Sequence, residues 1–529
     1  MSPLAKAGPG RRGQAVRKAP RGRKAARAVG RRPARGLKGL PPITKDLFVE
    51  PRDCSTWAWY RRRLRDPEPP GAADRFLMEQ GRTIGLMARS IFPGGLLVAG
   101  PTPAEAASQT GRLLADASVK AIFEASFADG DCVARPDILI RQAGGWKVIE
   151  VKSSLADSPS LENHIDDVAF TSLVAGRAGL KVSAIALLLL SRKYRKGEPA
   201  SQLFEERDVT AEARARHGAF ARRITALRDQ TTPARMPAPR LRSACVGCEY
   251  FRDHCIGRGS RFPVTELPGI ARGIERLRGT IEIADLPGGV DLTSAQKRVA
   301  RSVVAGAGQA EPSLGPALGK IEWPSFYLDF ETVQTALPLY DGVAPYEPIV
   351  TQYSIDVCHG PGKPGVHREF LADPLRDDRR ALAERLLQDL GERGSIVVYS
   401  TFEATQIRKL MARFPDLAGR FEAILRRLFD LLVVLREGYY HPDFHGSYSI
   451  KHVLPALVPG FRYDDLAIRD GASALACFAE AAMGRVSPKE WAQRRADLLT
   501  YCGRDTQAMV KVHERLMPLV APPMPGKRP

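Results

Sequence analysis

The stretch Phe326-Tyr327-Leu328-Asp329-Phe330-Glu331-Thr332 decides the fold of the C-terminal half of this 529-residue chain. Its apolar residues predict a buried strand, and residues two apart in a strand share one face. Asp329 and Glu331 therefore project together, while Leu328 and Phe330 project from the other side. Two acids on one face of a buried strand repel each other unless a cation lies between them. The pattern predicts a divalent-metal site, the alternative being a strand end whose acids face water.

A second acidic motif lies near the C-terminus, where Pro488–Leu516 predict a helix. Tyr501 and Asp505 are four residues apart, so they share one face of that helix. A tyrosine in this position can orient a water molecule that is activated by a metal held by Asp505. The helix therefore supplies a candidate third ligand and a candidate catalytic tyrosine.

The N-terminal half predicts another carboxylate site on a hairpin. Residues 133–140 and 146–152 are expected strands, and the glycine-rich turn between them favours a hairpin. That pairing brings Asp137 close to Glu150, with Lys152 on the same face as Glu150. Acids that hold Mg²⁺ or Mn²⁺, beside a lysine that stabilises phosphate charge, form a phosphodiesterase centre. The alternative is a surface hairpin with a cross-strand salt bridge.

Three cysteines follow at metal-ligand spacing, Cys245-x2-Cys248-x6-Cys255. Such a site requires a fourth ligand, and Cys54 is the upstream cysteine in a comparable setting. The four cysteines would then join the two ends of one domain. Spacing alone does not distinguish zinc from an iron-sulfur cluster, and His254 keeps a zinc site open.

Two connecting segments complete the expectations for local structure. A helix is predicted over residues 163–176. Asp166 and Asp167 near its start either reach the Asp137–Glu150 site or cap the helix, and capping is the preferred interpretation. Residues 305–319, rich in Gly, Ala and Pro, are expected to form a flexible linker.

Composition limits the classes of function. Of the formal charge of +20, residues 1–40 supply thirteen Lys or Arg and no acid, so that segment is expected to be disordered and to attract phosphates. The content of 44% hydrophobic and 26% charged residues is that of a globular protein. Eight cysteines in so long a chain do not form a disulfide scaffold, and no apolar run has membrane-spanning length. A cytoplasmic protein is expected.

The N-terminal motifs resemble the PD-(D/E)XK nucleases of the RecB and AddB type, including CRISPR-associated members that carry a 4Fe-4S cluster. The resemblance covers about residues 45–260. It implies a restriction-endonuclease-like fold in which Asp137 and Glu150 bind metal and Lys152 is catalytic. It also implies that Cys54, Cys245, Cys248 and Cys255 ligate the cluster. The Gln-x3-Tyr usual after the lysine is missing, with Thr171 near the position of the Gln.

The C-terminal order of motifs resembles the DnaQ-like 3'-5' exonucleases of the RNase H-like fold, in the variant with tyrosine in the last motif. The resemblance covers about residues 322–518. It implies that Tyr501 assists the attacking water. Glu403 stands as a catalytic residue where an aspartate is usual, with Asp430 as the alternative. The implied metal ligands are Asp329, Glu331 and Asp505.

Together these features predict an α/β protein that resembles a bacterial fusion of the two nuclease types. The expected parts are a basic tail (1–40), a PD-(D/E)XK iron-sulfur domain (41–260), a helical connector and linker (261–321), a DnaQ-like domain (322–518) and a second tail (519–529). The expected activity is metal-dependent cleavage of nucleic-acid ends or single strands, with DNA as substrate and DNA repair or defence as the setting. The alternatives are a nucleic-acid-binding scaffold with one or both centres inactive and an RNA-processing exonuclease. No membrane partner is expected.

Overall fold

The computed structural model describes residues 40–49, 54–63, 69–256, 259–277, 279–361, 363 and 365–519. Apart from Leu40 and Leu519, the two predicted tails lie outside these ranges. The described chain is mixed α/β and is built on two main sheets, as its sequence predicts at the level of fold class. Within these ranges, no helix combines the length and apolar composition that a membrane span requires.

The first half of the chain folds around a six-stranded mixed sheet in the order β1-β2-β5-β6-β7-β8, with β3 and β4 as a separate pair. Its strands are β1 (Leu96–Leu97), β2 (Ala121–Phe123), β3 (Phe127–Asp129), β4 (Cys132–Ala134), β5 (Ile138–Gln142), β6 (Gly145–Leu155), β7 (Val182–Leu190) and β8 (Phe204–Asp208). Its helices are α1 (Lys45–Val49), α2 (Ser55–Arg63), α3 (Ala72–Ser90), α4 (Pro103–Ala115), α5 (Leu161–Arg177) and α6 (Thr210–Thr231). The predicted hairpin is confirmed, because β5 and β6 pair with Gln142 opposite Gly145.

The expected single strand over residues 133–140 is wrong. The chain forms β4, which ends at Ala134, has no strand assignment from Arg135 to Asp137, and then forms β5. Proline has no N–H to donate to a ladder, so the strand is interrupted there. Asp137 consequently lies at the start of β5 rather than within a strand.

The C-terminal half contains a five-stranded sheet in the order β12-β11-β10-β13-β14. Its strands are β10 (Ser325–Val333), β11 (Ile349–Cys358), β12 (His367–Leu371), β13 (Ile396–Val398) and β14 (Leu428–Asp430). The helices of this half are α9 (Arg379–Leu390), α10 (Phe402–Arg413), α11 (Ala418–Leu425), α12 (Leu431–Gly438), α13 (Ile450–Leu457), α14 (Gly471–Ala482) and α15 (Pro488–Leu516). The central strand β10 is antiparallel to β11 and parallel to β13. Leu328 and Phe330 pack in one core, with residues of α9, α10 and α11, whereas Tyr327 packs in another with residues of α15.

The expected flexible linker over residues 305–319 is also wrong. After α7 (Ser294–Ala305), strand β9 (Gln309–Ala310) pairs with β15 (Tyr439–Tyr440), and α8 (Leu314–Leu318) follows. Leu314 and Leu318 are buried in the C-terminal core because residues four apart share a helix face. The segment therefore packs as part of the C-terminal half.

The two halves contact each other through the loop between β10 and β11. The Gln80 side chain on α3 accepts a hydrogen bond from the backbone N–H of Ala336 at 3.0 Å. Lys196 donates to the Leu339 carbonyl at 2.6 Å, and the Tyr346 hydroxyl donates to the carbonyl of Ser153 on β6. The strand that carries Glu150 and Lys152 is thus tied to the loop that follows Asp329 and Glu331.

Candidate functional site

Three carboxylates converge in the C-terminal half. Asp329 and Glu331 project from the same face of β10, as predicted, and Asp505 reaches them from α15. One carboxylate oxygen from each of the three lies within 4.8 Å of the others, and in the described ranges this is the one such cluster of potential metal ligands. The cluster lines a cleft of about 1050 Å³, which Glu403, Lys451 and Tyr501 also line.

The electrostatics of this cluster favour binding of a cation. Burial, and then the negative charges of Asp505 and Glu331, raise the pKa of Asp329 well above its usual value. Burial and Asp505 raise the pKa of Glu331 to about 8, against the opposing effect of Lys451. Burial raises the pKa of Asp505 to about 6. A divalent cation would stabilise the ionised form of all three, and carboxylate oxygens are the ligands that Mg²⁺ and Mn²⁺ prefer. The donor set therefore fits the expected metal.

Glu403 and Asp430 were alternatives for the acid of the middle motif, and their positions differ. Glu403, in the first turn of α10, is buried at the cleft, and its Oε2 atom has no hydrogen-bond partner among the described residues. Burial raises the pKa of Glu403 to about 7. Asp430 instead caps α12, where its Oδ1 atom accepts hydrogen bonds from the N–H groups of Leu432 and Val433 at 2.9 and 3.2 Å. Glu403 is therefore the acid that faces the cleft.

The structure adds two residues to this site that the sequence analysis missed. Lys451 on α13 donates to the Tyr501 hydroxyl at 3.1 Å and to the Arg469 carbonyl at 2.6 Å. Tyr463 donates to Oδ1 of Asp505 at 2.6 Å. Nothing in the spacing of these residues predicts the contacts, because Lys451 lies 50 residues from Tyr501 and Tyr463 lies 42 residues from Asp505.

The N-terminal half brings Asp137, Glu150 and Lys152 together, as the hairpin predicts, but with an additional cation. Glu150 is fully buried, and its Oε2 atom accepts a hydrogen bond from Lys45 of α1 at 2.9 Å. The Nζ atom of Lys152 lies 4.0 Å from the same oxygen. Burial favours the neutral form of Glu150, but Lys45 and Lys152 outweigh it and hold the pKa of Glu150 below its usual value. The sequence analysis missed Lys45.

Asp137 lies beside this pair and lines a cleft of about 540 Å³ together with Lys152. Its Oδ2 atom accepts a hydrogen bond from the Val151 N–H at 2.7 Å. Burial and the charge of Glu150 raise the pKa of Asp137 to about 8. The predicted capping role of Asp167 is wrong: helix α5 begins at Leu161, and Asp167 forms an ion pair with Lys152 in the next turn.

The four predicted cysteines line one cavity of about 250 Å³. Cys54 lies directly before α2, which packs against α6. The other three follow α6: Cys245 and Cys255 each end a short helical turn, and Cys248 lies between the two turns. Burial, and then the neighbouring cysteine sulfurs, raise the pKa of Cys255 to about 12. In the described part of the chain, no three of these sulfurs lie within 4.8 Å of one another. The structure thus brings Cys54 to the same cavity as the three later cysteines.

Part of this chain is similar in sequence to proteins whose activity is not described. A family model described as a domain of unknown function, DUF2779, matches residues 326–449. "Uncharacterized protein MG366 homolog" of Mycoplasma pneumoniae is 28% identical over 213 residues, 36% of this chain and 32% of that protein. "Uncharacterized protein UU173" of Ureaplasma parvum is 25% identical over 224 residues, 38% of this chain and 32% of that protein. The chain spans about a third of the length of these curated relatives. It is therefore similar, over part of its length, to proteins whose names assign no activity.

Proposed function

We propose that this protein is a divalent-metal-dependent nuclease whose C-terminal centre works as a DnaQ-like 3'-5' exonuclease. The observation that carries the proposal is the convergence of Asp329, Glu331 and Asp505 within 4.8 Å at a cleft that Tyr501 also lines. Strand β10 carries Asp329 and Glu331, Glu403 follows β13, and α15 carries Tyr501 and Asp505. This order of motifs supports an RNase H-like fold for this half. Glu403 is the acid of the middle motif, because Asp430 is engaged in capping α12.

The residues of the centre have separate tasks in this proposal. Asp329, Glu331 and Asp505 would hold Mg²⁺ or Mn²⁺, which would supply a bound water of lowered pKa and stabilise charge on the phosphate. Tyr501 orients the attacking water through its hydroxyl group, whose position Lys451 fixes by donating to its oxygen. Tyr463 donates to Oδ1 of Asp505 and thereby positions this carboxylate in the cluster. The cleft of about 1050 Å³ has room for a nucleotide at a strand end.

We propose that the N-terminal half is a PD-(D/E)XK nuclease domain of the RecB type. The placement of Asp137 at the start of β5 and of Glu150 and Lys152 on the adjacent β6 supports this assignment. Asp137 and Glu150 would hold the metal, and Lys152 would stabilise charge on the phosphate. A nucleic-acid-binding scaffold with this centre inactive is the second candidate, because Lys45 and Thr171 already contact both oxygens of Glu150.

We propose a 4Fe-4S cluster as the ligand of Cys54, Cys245, Cys248 and Cys255. The four cysteines line one cavity of about 250 Å³, which supports a shared site for a metal or cluster. The resemblance of this half to RecB-type nucleases that carry a 4Fe-4S cluster favours the cluster over zinc. Zinc remains the alternative metal.

The proposed substrate is nucleic acid, with DNA ahead of RNA, and the proposed setting is cytoplasmic DNA repair. The test is a time course with Mg²⁺ or Mn²⁺ on end-labelled single- and double-stranded DNA and RNA. Anaerobically purified wild type is compared with Asp329→Asn, Lys152→Met and the exposed control Asp229→Asn. Loss of a distinct activity in each site variant, with the control unchanged, supports two working centres. Binding without cleavage by the wild type would favour the scaffold and overturn the nuclease proposal.

A further inference from the structure

At the proposed N-terminal centre, the cation that contacts Glu150 comes from α1, outside the β5–β6 hairpin. Lys45 on α1 donates to Oε2 of Glu150 at 2.9 Å, although the two residues are 105 positions apart. The hydroxyl of Thr171 on α5 donates to Oε1 at 2.9 Å. Both oxygens of this fully buried carboxylate are therefore engaged by the protein itself.

Packing of α1 against α5 holds Lys45 in this position. Phe48, one turn after Lys45, is fully buried and stacks on Phe170 of α5 with ring centroids 4.8 Å apart. Its other neighbour is Phe220, at 4.9 Å. Since α5 also carries Thr171, the helix that supports α1 is the same one that contacts Glu150. The ion pair is thus part of a packed assembly and not a chance surface contact.

The two lysines of the centre are not equivalent. Lys152 is directed to Asp167 and lies 4.0 Å from Oε2 of Glu150, whereas Lys45 makes the short contact. A buried carboxylate needs a cation, and Lys45 supplies one in the absence of metal. The side chain of Lys45 is 32% exposed, so its ammonium group has a route from Glu150 to water.

We propose that Lys45 is the resident counter-cation of Glu150 and competes with the divalent metal for this carboxylate. This inference rests on the proposed metal-binding role of Asp137 and Glu150. Metal enters this centre only when the Lys45 ammonium leaves Oε2, so Lys45 sets the metal affinity of the N-terminal centre without being a ligand. Substitution of Lys45 by an uncharged residue removes the competitor, and metal affinity rises.

The test measures Mn²⁺ binding to the full chain by electron paramagnetic resonance, in an Asp329→Asn, Asp505→Asn background that removes the C-terminal cluster. The variants are Lys45→Met, Lys45→Gln and Lys45→Arg, with the exposed Lys320→Met as the matched control. We expect Lys45→Met and Lys45→Gln to bind Mn²⁺ about tenfold more tightly than the parent. This factor applies if the Lys45–Glu150 ion pair occupies roughly 90% of the sites in the parent and is absent from the variants. Lys45→Arg and the control should bind as the parent does.

The outcomes separate this inference from the proposed function. In one outcome, Asp137→Asn abolishes Mn²⁺ binding, but the parent and the Lys45 variants bind Mn²⁺ with equal affinity. This result overturns the proposed role of Lys45 and supports the N-terminal metal centre. If neither the parent nor the Lys45 variants bind Mn²⁺ in this background, the N-terminal metal centre itself is overturned. Because Lys45→Met leaves a buried charge, Lys45→Gln provides a folded comparison that retains a hydrogen-bond donor.

Discussion

The hydroxyl group of Tyr463 donates a hydrogen bond of 2.6 Å to Oδ1 of Asp505, within the cluster of three carboxylates. Burial raises the pKa of Asp505, and this hydrogen bond opposes the rise. The rings of Tyr463 and Tyr501 meet edge to face at 6.5 Å, with the Lys451 ammonium 5.4 and 5.0 Å from their centres. Tyr463, Lys451 and Tyr501 thus oppose the effect of burial and lower the pKa of Asp505, which favours the ionised carboxylate that binds a cation.

Tyr463→Phe should weaken metal binding at the C-terminal cluster. The variant loses the donor to Asp505, so the pKa of Asp505 moves above about 6 and more of the carboxylate is protonated at neutral pH. A lost hydrogen bond to a charged group corresponds to about 1.5–3 kcal/mol, so a roughly tenfold or greater increase in the Mn²⁺ dissociation constant is expected. Calorimetric titration checks this result. Asp229→Asn, a substitution at an exposed position, is the control and should bind Mn²⁺ as the wild type does. Unchanged affinity would contradict it.

Metal binding at the same cluster should strengthen as pH rises from about 5 to about 8. Asp505 and Glu331 have pKa values of about 6 and about 8, so the metal-free cluster holds protons that the metal must displace. Proton release on binding, measured by titration in buffers of different ionisation enthalpy, checks the origin of the effect. Binding that is independent of pH across this range would show that the carboxylates are already ionised.

The same raised pKa values predict the pH dependence of stability without metal. Because folding raises the pKa of Glu331, the folded state binds more protons than the unfolded state between the two pKa values. The stabilising contribution of this group is present below its unfolded pKa near 4.5 and is lost as pH rises through about 8. In EDTA, the wild type should lose more stability over that interval than Glu331→Gln, as measured by thermal melting. Equal slopes in the two proteins would refute the assignment.

Lys451→Met should reduce the turnover of the proposed exonuclease more than its substrate affinity. The lysine fixes the Tyr501 hydroxyl at 3.1 Å and supplies positive charge in the cleft, and loss of one such preorganised group costs about 10²- to 10³-fold in kcat. Lys451→Arg retains the charge and should recover part of the rate. Steady-state kinetics with a labelled strand end give kcat and KM separately. A change confined to KM would indicate a role in binding alone.

Cys54→Ser should abolish assembly of the proposed cluster, although Cys54 lies 191 positions before Cys245. The four cysteines line one cavity, so removal of one ligand disrupts the whole site. Iron and sulfide content and visible absorption of anaerobically purified protein check this outcome. Cys477→Ser, at a cysteine of the C-terminal half outside this cavity, is the matched control. Zinc without iron in the wild type would support the alternative metal.

Several elements were predictable because their signals are local. The alternation of β10 placed Asp329 and Glu331 on one face, and the spacing in α15 placed Tyr501 beside Asp505. The bounds of α15 are confirmed residue for residue. The errors arose where a tertiary contact or a single residue overrides composition. Pro136 ends β4, and burial of Leu314 orders a segment that its glycines and prolines predict to be flexible.

The sequence by itself determined the β5–β6 hairpin, β10, α15 and the acids that they carry, because side-chain direction repeats every two residues in a strand and every 3.6 in a helix. Only the tertiary structure decided which distant groups complete each site. Lys45 reaches Glu150 across 105 positions, and Tyr463 reaches Asp505 across 42. Such contacts depend on how helices pack against a sheet, which no periodicity encodes. The carboxylates of both proposed centres and Lys152 were therefore predictable from the sequence, whereas Lys45, Lys451 and Tyr463, which also act on the charge state of those carboxylates, were not.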